Sequence, residues 1–519
     1  MSNEFPTGVL PSFRAAFSSP ARLRTEVLAG LVVALALIPE AISFSILAGV
    51  DPRVGLFASV TMAVTIAFTG GRPAMISAAT GAIALVVVPV VADHGLDYLI
   101  ATVLLGGALQ IVLSVLGVAK LMRFIPRSVM IGFVNALAIL IFSAQIPHLI
   151  GVPWLVYPLV AVGIVIMVGF PRLTTVVPAP LIAIVAITVV VLAVGWNVPD
   201  VAGQGELPTS LPSLLLPDVP LTLETLQIIA PFALAMALVG LMESLMTAKL
   251  VDDITETHSD KTREGWGQGV ANLVTGLFGG MGGCAMIGQT MINVKESGAR
   301  TRLSTLLAGV FLLVLVVVLG DIVGLIPMAA LVAVMIMVSV GTFDWHSVHP
   351  RTLRVMPLPE TLVMLVTVVA TVWTGNLAIG VVLGVLTAMV MFARRVAHMT
   401  TVEKVHGPRD DLAGRDDRAD RDDDNDDDTE FTTRTYRVTG ELFWASSNDL
   451  VYQFDYSGDP EHVVLDLTDA DIWDASTVAT LDAVQQKYAE KGKTLSVIGL
   501  DGASQERLDK LSGRLGGAF

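Results

Sequence analysis

The chain has 519 residues, of which 53% are hydrophobic and 15% charged, and its mean hydropathy is +0.71. This composition excludes an ordinary soluble enzyme and is typical of a polytopic membrane protein. The formal net charge is −15, but residues 410–430 hold twelve acidic side chains against three arginines, so most of the excess is local. The single cysteine, Cys284, excludes an intramolecular disulfide and a multi-cysteine metal site. We expect it to be an inert packing residue.

Hydrophobic runs predict fourteen membrane spans, seven on either side of a Pro-rich loop at residues 196–222. Polar residues 1–25 precede the first span, and no cleavage site follows a short apolar core, so we expect no removable signal peptide. The spans are predicted near residues 27–47, 54–69, 80–92, 98–118, 128–146, 155–170, 176–195, 228–249, 266–280, 288–297, 303–319, 326–340, 360–374 and 376–393.

Basic residues fall in alternate loops of this arrangement. They occur in the N-terminal segment, at Arg72, at Arg300 and Arg302, and after the last span, whereas the intervening loops hold only Arg53. Lys and Arg collect in cytoplasmic loops. Both termini of this multi-pass protein of the cell membrane are therefore predicted to be cytoplasmic.

Predicted spans three and ten are too short to cross as ordinary helices, since about 20 apolar residues are needed for a hydrocarbon core of roughly 30 Å. Each follows a segment rich in glycine or alanine, at residues 70–79 and 279–287. Non-helical backbone at membrane depth is stable only where protein buries it or where it lines a cavity. We therefore interpret both spans as half-helices, which at matching positions of two halves predict a mid-membrane site in an inverted-repeat transporter.

The start of a half-helix presents free backbone N–H groups and roughly half a positive charge. Two such starts aimed at one point would bind an anion. Small residues there let an oxyanion approach the amides. The residues at the two starts are Thr80, Gly81 and Ala82 in span three, and Gly288, Gln289 and Thr290 in span ten.

Two carboxylates lie inside apolar spans, Glu40 in the first and Glu243 in the eighth. An ionisable group at this depth costs roughly 2.5–3.5 kcal/mol and usually faces a water-filled cavity. Beside a bound anion, such a carboxylate must be protonated or screened by a cation, because burial and a neighbouring anion both disfavour its charged form. We therefore predict that Glu40 carries a proton with the anion, with Glu243 as the second candidate for proton coupling.

Phe44 lies one helical turn after Glu40 and shares its face. Two alternatives stay open: Glu40 accepts hydrogen bonds from a neighbouring helix without titrating, and Glu243 is a structural residue or a cation ligand. No residue is predicted to be catalytic.

Two long motifs resemble a known family. Residues 29–59, which contain LIPEAISFSILAGVDPRVGLF, resemble the first-helix signature of the sulfate permease family of anion transporters. Residues 268–304, which contain GLFGGMGGCAMIGQTMINVKESGARTRLS, resemble its second signature. The resemblance implies two inverted seven-helix repeats that form a core domain and a gate domain, alternating access, and a homodimer.

The resemblance also places the substrate between the ends of spans three and ten, near spans one and eight. The positions that match the lining of the family's site are Glu40, Phe44, Thr80, Gly81, Ala82, Glu243, Ile287, Gly288 and Gln289.

Two positions depart from the family pattern. Many relatives carry Gln at the position of Glu40, and relatives that exchange or conduct anions often carry Arg at the position of Gln289. The loss of a cation and the gain of a titratable acid favour proton-coupled symport of an anion such as sulfate or a dicarboxylate.

Three other functions remain open on the sequence. They are a Na⁺-coupled bicarbonate symporter with Glu243 and Thr247 as ligands, an anion exchanger, and a membrane scaffold that signals through the C-terminal domain. No spaced His/Cys cluster, nucleophile elbow or phosphate-binding loop accompanies the acids. We therefore expect no enzyme activity, no cofactor or metal, and no nucleic-acid partner.

The character of the chain changes after the last span. Residues 396–431 are predicted to be an acidic disordered linker. Alternating strands and helices in residues 432–519 predict a small layered α/β domain, which resembles a STAS domain. The strands are expected at residues 436–438, 463–467 and 494–498, and the helices near residues 447–454, 476–491 and 503–511.

By this resemblance, residues 474–477 occupy the loop where bacterial anti-sigma factor antagonists carry a phosphorylatable serine. We predict instead that Ser476 is the N-cap of the helix that follows.

Overall fold

The computed structural model describes residues 6–118, 125–172, 178–208, 210–397, 399–405, 433–447 and 450–513. The chain divides into two compact units, Met1–Val385 and Leu386–Phe519.

Helices make up most of the first unit. Those of its first half are α1 (Val9–Ala16), α2 (Pro20–Ala48), α3 (Pro52–Thr69), α4 (Gly81–His94), α5 (Leu96–Val115), α6 (Arg127–Ser143), α7 (Val156–Gly169) and α8 (Ala179–Val194). The second half continues with α9 (Leu223–Thr255), α10 (Lys261–Leu277), α11 (Ile287–Met291), α12 (Arg302–Gly324), α13 (Met328–Thr342), α14 (Pro350–Val355), α15 (Leu358–Thr374) and α16 (Leu377–Ala397), of which α16 continues past Val385 into the second unit. Within the described ranges, seven helices are long and apolar enough to cross a membrane, and five shorter ones are apolar. Apart from α1 and α14, the helices overlap the fourteen predicted segments, and the predicted α-helical multi-pass architecture is confirmed.

The two longest helices, α2 and α9, open the two halves with the same type of N-cap. The hydroxyls of Ser19 and Thr222 each accept a hydrogen bond from the backbone N–H three residues on, at 3.2 Å. Each helix also contains a proline, Pro39 or Pro231, which cannot donate to the helical hydrogen-bond ladder. Pro39 lies directly before Glu40, so the helix lacks one backbone donor beside the first acid.

Two groups of helices pack together within the first unit. The core group contains α2–α5 and α9–α12, and the gate group contains α6–α8, α13 and α15. Small residues allow the close approach that helix packing in membranes requires. A Cβ atom on Gly107 of α5 would lie 2.7 Å from the carbonyl oxygen of Gly269 in α10, and one on Gly163 of α7 would lie 2.7 Å from Ala333 of α13.

Two of the intervening loops, which the predicted topology places on the side opposite the termini, are joined to the 196–208 segment. The carbonyl of Pro199 accepts a hydrogen bond from the Met328 N–H at 2.8 Å, and Glu206 forms an ion pair with Arg53 at 2.5 Å. Loops that the predicted topology places on the same side of the membrane therefore contact one another.

Arg72 and Arg302, which we assigned to basic loops, are buried, with exposed fractions of 7% and 1%. Arg72 Nη1 pairs with Asp252 Oδ1 at 2.9 Å. Arg302 Nη2 donates to the carbonyl of Gly70 at 2.6 Å, just beyond the negative end of α3. These two cations stabilise the core group rather than face the solvent.

The second unit contains a four-stranded sheet in the order β3-β4-β5-β6, with β3 antiparallel to β4 and the other pairs parallel. Its strands and helices are β3 (Thr401–Val405), β4 (Thr433–Leu442), α17 (Trp444–Ser447), β5 (His462–Ile472), α18 (Ala475–Ala489), β6 (Thr494–Ile498) and α19 (Gly502–Leu511). The three predicted strands and the last two predicted helices are confirmed; β4 and β5 are longer than expected, and β6 has the predicted bounds.

Two predictions for this unit are wrong. Residues 401–405 of the predicted linker form β3, because they pair along their whole length with β4; residues 406–432 lie outside the described part of the chain. The helix expected at 447–454 is replaced by α17 and a 3₁₀ turn at Leu450–Tyr452. Edge-strand pairing and a short turn have weak signals in a single sequence.

The N-cap of α18 also differs from the prediction. Asp474, not Ser476, caps the helix, and its Oδ1 accepts the Thr477 N–H at 3.0 Å. Ser476 lies inside the first turn and is exposed.

A buried carboxylate organises the opposite side of this unit. Asp459 accepts hydrogen bonds from the hydroxyls of Tyr436 at 2.9 Å and Tyr488 at 2.6 Å. Burial is the main cause that raises the pKa of both tyrosines, and the Asp459 carboxylate raises it further. Both phenols therefore remain neutral donors.

Candidate anion-binding site

The two non-helical segments cross and pair in the middle of the core group. Their strands, β1 (Ser77–Ala78) and β2 (Cys284–Ala285), are antiparallel, with Ser77 opposite Ala285. Only glycine fits at position 283, where a Cβ atom would lie 2.0 Å from the carbonyl oxygen of Ala78. The helices α4 and α11 follow these strands directly, so they start beside the crossing and leave it in opposite directions.

The start of α4 is capped and covered. Thr80 is the N-cap residue, and its Oγ1 accepts the Ile83 N–H at 3.4 Å. Phe44 from α2 lies against Gly81, where a Cβ atom would be 2.9 Å from the Phe44 ring. Ala82 is fully buried. Phe44 and the three predicted residues of this start are therefore brought together, with the aromatic ring over the helix end.

The start of α11 is open. The helix has only five residues, Ile287–Met291, and continues as a π turn over Ile292–Glu296. Its first residue is half-buried and Gly288 is exposed, with no atom within 4 Å of where a Cβ atom would lie. Thr290 anchors the turn, because its Oγ1 accepts the N–H of Ile76 at 3.0 Å. An approaching solute would therefore meet the amides of α11 without displacing a side chain at Gly288.

Glu40 and Gln289 are in direct contact. Gln289 Nε2 donates to Glu40 Oε1 at 3.0 Å, which links α2 to α11 across the two halves of the chain. Glu40 is half-buried, whereas Gln289 is 1% exposed. Within the described residues, Gln289 Oε1 is buried without a hydrogen-bond partner, so the amide has one unused acceptor beside the acid.

Glu243 is more deeply buried, with an exposed fraction of 7%. Cys284 Sγ donates to Glu243 Oε2 at 2.9 Å, and the same sulfur lies 3.1 Å from Thr80 Oγ1. Cys284 is fully buried, as expected of a packing residue, and its side chain also forms hydrogen bonds that were not predicted. The hydroxyl of Thr247, a candidate ligand for Na⁺, donates to the Glu243 backbone carbonyl at 2.8 Å.

A second series of hydrogen-bonded polar groups leads from the backbone of Arg72 to β1. It was not predicted from the sequence. Glu264 Oε2 accepts the backbone N–H groups of Gly71 and Arg72 at 2.8 and 2.9 Å. Gln268 Nε2 donates to Glu264 Oε1 at 2.8 Å and to Ser77 Oγ at 2.7 Å. Their spacing of four residues, which places both side chains on one face of the helix, is the signal that would have found them.

No cation compensates the two intramembrane acids. Over the described ranges, no Lys or Arg forms an ion pair with Glu40 or Glu243, whereas Asp252 is paired with both Arg72 and Lys261. In the same part of the chain, no group of three or more His, Cys, Asp and Glu residues could hold a metal ion. The site can therefore offer an anion backbone amides, neutral donors and protonatable acids.

Comparisons with known proteins agree with this architecture. The sulfate permease family model matches residues 23–156 and 153–367, and the STAS domain model matches residues 427–512. YbaR of Bacillus subtilis, named as a candidate sulfate transporter, is 50% identical over 490 residues, which cover 94% of this chain and 97% of YbaR.

Two solved structures have the same fold. The transmembrane domain of the cyanobacterial bicarbonate transporter BicA matches with a TM-score of 0.62 and 26% identity, over 69% of this chain and 98% of that chain. The murine anion transporter Slc26a9 in the inward-facing state matches with a TM-score of 0.79 over 97% of this chain and 89% of that chain; at 15% identity this is a likeness in fold. The fold class predicted from the sequence is confirmed. The chain belongs to the sulfate permease family of anion transporters and carries a C-terminal STAS domain.

Proposed function

We propose that this transporter is a proton-coupled symporter that holds its anion between the starts of α4 and α11 and works by alternating access. The observation that carries the proposal is the nature of the partners of the two acids. Glu40 is held by an amide and Glu243 by a thiol, both neutral donors. A bound proton would then neutralise either acid and allow it to share a buried site with an anion.

Electrostatics sets the size of this coupling. Two unit charges 4 Å apart repel by about 4 kcal/mol at an effective dielectric constant of 20, and a dianion would double that figure. Protonation of the carboxylate removes the repulsion. By linkage, anion and proton each raise the affinity for the other, which is the thermodynamic requirement for symport.

Glu40 is the better candidate for the transported proton because it is half-buried and can exchange protons with water at the open start of α11. Its partner suits both protonation states. Gln289 donates to the ionised acid, and the unpaired Gln289 Oε1 offers an acceptor for the hydroxyl of the protonated acid.

For the substrate, we favour sulfate, because it is the anion in the name of YbaR, which is 50% identical to this chain. Bicarbonate is the second candidate, since BicA is a bicarbonate transporter. The Na⁺-coupled alternative has weaker support: one oxygen of Glu243 is bound by a thiol, and hard cations prefer oxygen ligands.

A closed seam supports the alternating-access part of the proposal. Ser43 and Leu47 of α2 meet Gln145, His148 and Leu331 of the gate group around a cavity of about 10 Å³, which has room for at most one water. With cytoplasmic termini, this seam lies on the extracellular side. Movement of the core group against the gate group would open it. A homodimer is part of the proposal through the family alone.

The test is uptake of labelled sulfate, bicarbonate and a C4-dicarboxylate by the purified full chain in liposomes, with H⁺ and Na⁺ gradients imposed separately. We expect sulfate to accumulate against its gradient when the H⁺ gradient is directed inward, and an uncoupler to abolish this accumulation. Accumulation driven by Na⁺ alone would overturn proton coupling, and uptake that requires an anion on the opposite side would indicate exchange. A scaffold without transport activity predicts no uptake at all.

A further inference from the structure

Three side chains form a continuous buried chain between the second acid and the start of α4. Glu243 Oε2 lies 2.9 Å from Cys284 Sγ, Cys284 Sγ lies 3.1 Å from Thr80 Oγ1, and Thr80 Oγ1 accepts the Ile83 N–H at 3.4 Å. All of the first three side chains are more than nine-tenths buried. The chain joins α9, β2 and the N-cap of α4, and the proposed function above uses its middle member only as a neutral partner of Glu243.

The number of donor hydrogens allows the hydrogen bonds between these three side chains to run in either of two directions. A thiol and a hydroxyl each have one hydrogen to donate, and both can also accept. When Glu243 is ionised it can only accept, so the S–H of Cys284 must point toward it. The Thr80 O–H is then free to donate to the sulfur.

Protonation of Glu243 reverses these hydrogen bonds. The new O–H of the acid donates to Cys284 Sγ, and the S–H turns toward Thr80 Oγ1. The Thr80 oxygen now accepts from both the thiol and the Ile83 N–H, so its own hydrogen must find an acceptor elsewhere. One proton is added at Glu243 Oε2, two hydrogens rotate, and no other bond forms or breaks.

We propose that Cys284 is a positioning residue that transmits the protonation state of Glu243 to Thr80, so that proton binding turns the Thr80 hydroxyl into a donor for an oxyanion at the start of α4. This inference rests on the proposed anion site. It gives the symporter a specific means of coupling, because the binding site gains a hydrogen bond only when the second acid is protonated.

The surroundings allow this assignment. Among the described residues, Cys284 is the titratable group in hydrogen-bond contact with Glu243. The other acids of the core group near this region have their own partners: Glu40 of α2 is bound to Gln289, Glu264 of α10 to the backbone of Gly71 and Arg72, and Asp252 of α9 to Arg72 and Lys261.

The first test uses the infrared S–H stretching band, which is specific to this site because the chain has one cysteine. The full chain in lipid is titrated with and without sulfate, and Cys284→Ala provides the spectral blank. We expect the band to shift as Glu243 becomes protonated, and the Glu243→Gln variant to show no such pH-dependent shift. A wild-type band that is unchanged by pH would overturn the relay, whether or not sulfate is transported.

The second test measures the KM for sulfate as a function of pH. Cys284→Ser keeps one donor and two acceptors and should keep the pH dependence. Cys284→Ala should raise KM roughly tenfold or more at the pH where the wild type binds best, the usual loss of a hydrogen bond to a charged group. It should also reduce the pH dependence to that of Glu243→Gln, with no further reduction in the double variant.

The two proposals fail in different ways. If the wild type does not transport sulfate, the proposed function fails as stated, while the infrared band still tests the reversal. If the wild type shows proton-driven uptake and Cys284→Ala keeps the full pH dependence of KM, the relay alone is overturned.

Discussion

The two halves of the transport unit place an acid in equivalent helices but give it different surroundings. Glu40 is half-buried and held by an amide, whereas Glu243 is nearly inaccessible and held by a thiol that also contacts Thr80. Both partners, Gln289 and Cys284, come from the second half. The repeat is therefore symmetric in its helices and asymmetric in its hydrogen bonds. One segment, from β2 into α11, contacts both acids. In the proposed mechanism, the first acid would exchange protons with water and the second would respond inside the protein.

Both acids are bound by the segment that contains β2 and α11, and two glycines of this segment differ sharply in the space around them. A Cβ atom at position 283 would lie 2.0 Å from a backbone oxygen, while one at position 288 would meet nothing within 4 Å. We expect Gly283→Ala to prevent β1 and β2 from pairing, because backbone cannot yield as a flexible side chain does. The folded protein should be lost or strongly destabilised, as measured by size-exclusion profile and thermal unfolding in detergent.

Gly288→Ala is the matched control and should unfold within a few degrees of the wild type. Equal stability of the two variants would show that β1 and β2 do not approach each other as closely as the 2.0 Å distance requires. The arrangement in which α4 and α11 start beside one crossing would then be wrong.

Neutralising each acid in turn separates their roles. Glu40→Gln should abolish proton-driven accumulation of sulfate in liposomes but leave downhill sulfate flux, because the amide can still bond Gln289 without carrying a proton. Glu243→Gln should retain partial coupling and keep the affinity for sulfate near that of the protonated wild type at every pH, which removes a pH-dependent change in affinity of roughly 5- to 150-fold, the range of ordinary coupling free energies.

If Glu40→Gln accumulated sulfate normally and Glu243→Gln did not, the comparison between the two acids would be reversed. The buried acid would then have to reach water by a route outside the open start of α11.

Hydropathy and charge predicted the helices of the transport unit well, because a membrane span needs a long apolar run whatever its neighbours are. They also located the two half-helices, since broken spans leave a shortage of apolar residues. Sequence reasoning failed where the outcome depends on tertiary contacts. The burial of Arg72 and Arg302 was not predicted, because a buried cation and an exposed one are the same letter in a sequence.

The sequence predicted residues of the candidate site but not the contacts between them. The pairing of Glu40 with Gln289 joins residues that are 249 positions apart, and nothing local indicates it. The contacts of Cys284 were not predicted, because a lone cysteine in an apolar segment is usually an inert packing residue. The strand β3 was hidden by its position next to an acidic stretch and by its dependence on β4 for pairing.

The open start of α11 gives a smaller effect, on affinity rather than on coupling. Gly288→Leu should leave the fold intact, because the position is exposed and free of neighbours. The side chain would cover amides that we expect to bind the anion, so KM for sulfate should rise by about tenfold, in line with the ~1–3 kcal/mol of a steric misfit. A leucine in place of Ala82, a buried residue at the start of α4, would instead disturb packing. Unchanged transport by Gly288→Leu would place the anion elsewhere.

The smallest predicted effect concerns the α18 cap, where the STAS unit departs from the sequence prediction. Asp474 accepts hydrogen bonds from Thr477 and from the Trp444 N–H at 2.7 Å, so Asp474→Ala should cost about 1 kcal/mol, as caps usually do. Hydrogen exchange of residues 475–489 in the full chain should then become about fivefold faster, because local opening follows the lost free energy. Ser476→Ala is the control, since its exposed hydroxyl is not the cap and surface changes usually stay within ±0.5 kcal/mol. If Ser476→Ala accelerated exchange as much as Asp474→Ala, the serine would share the capping role, and the first turn of α18 would be arranged as the sequence first suggested.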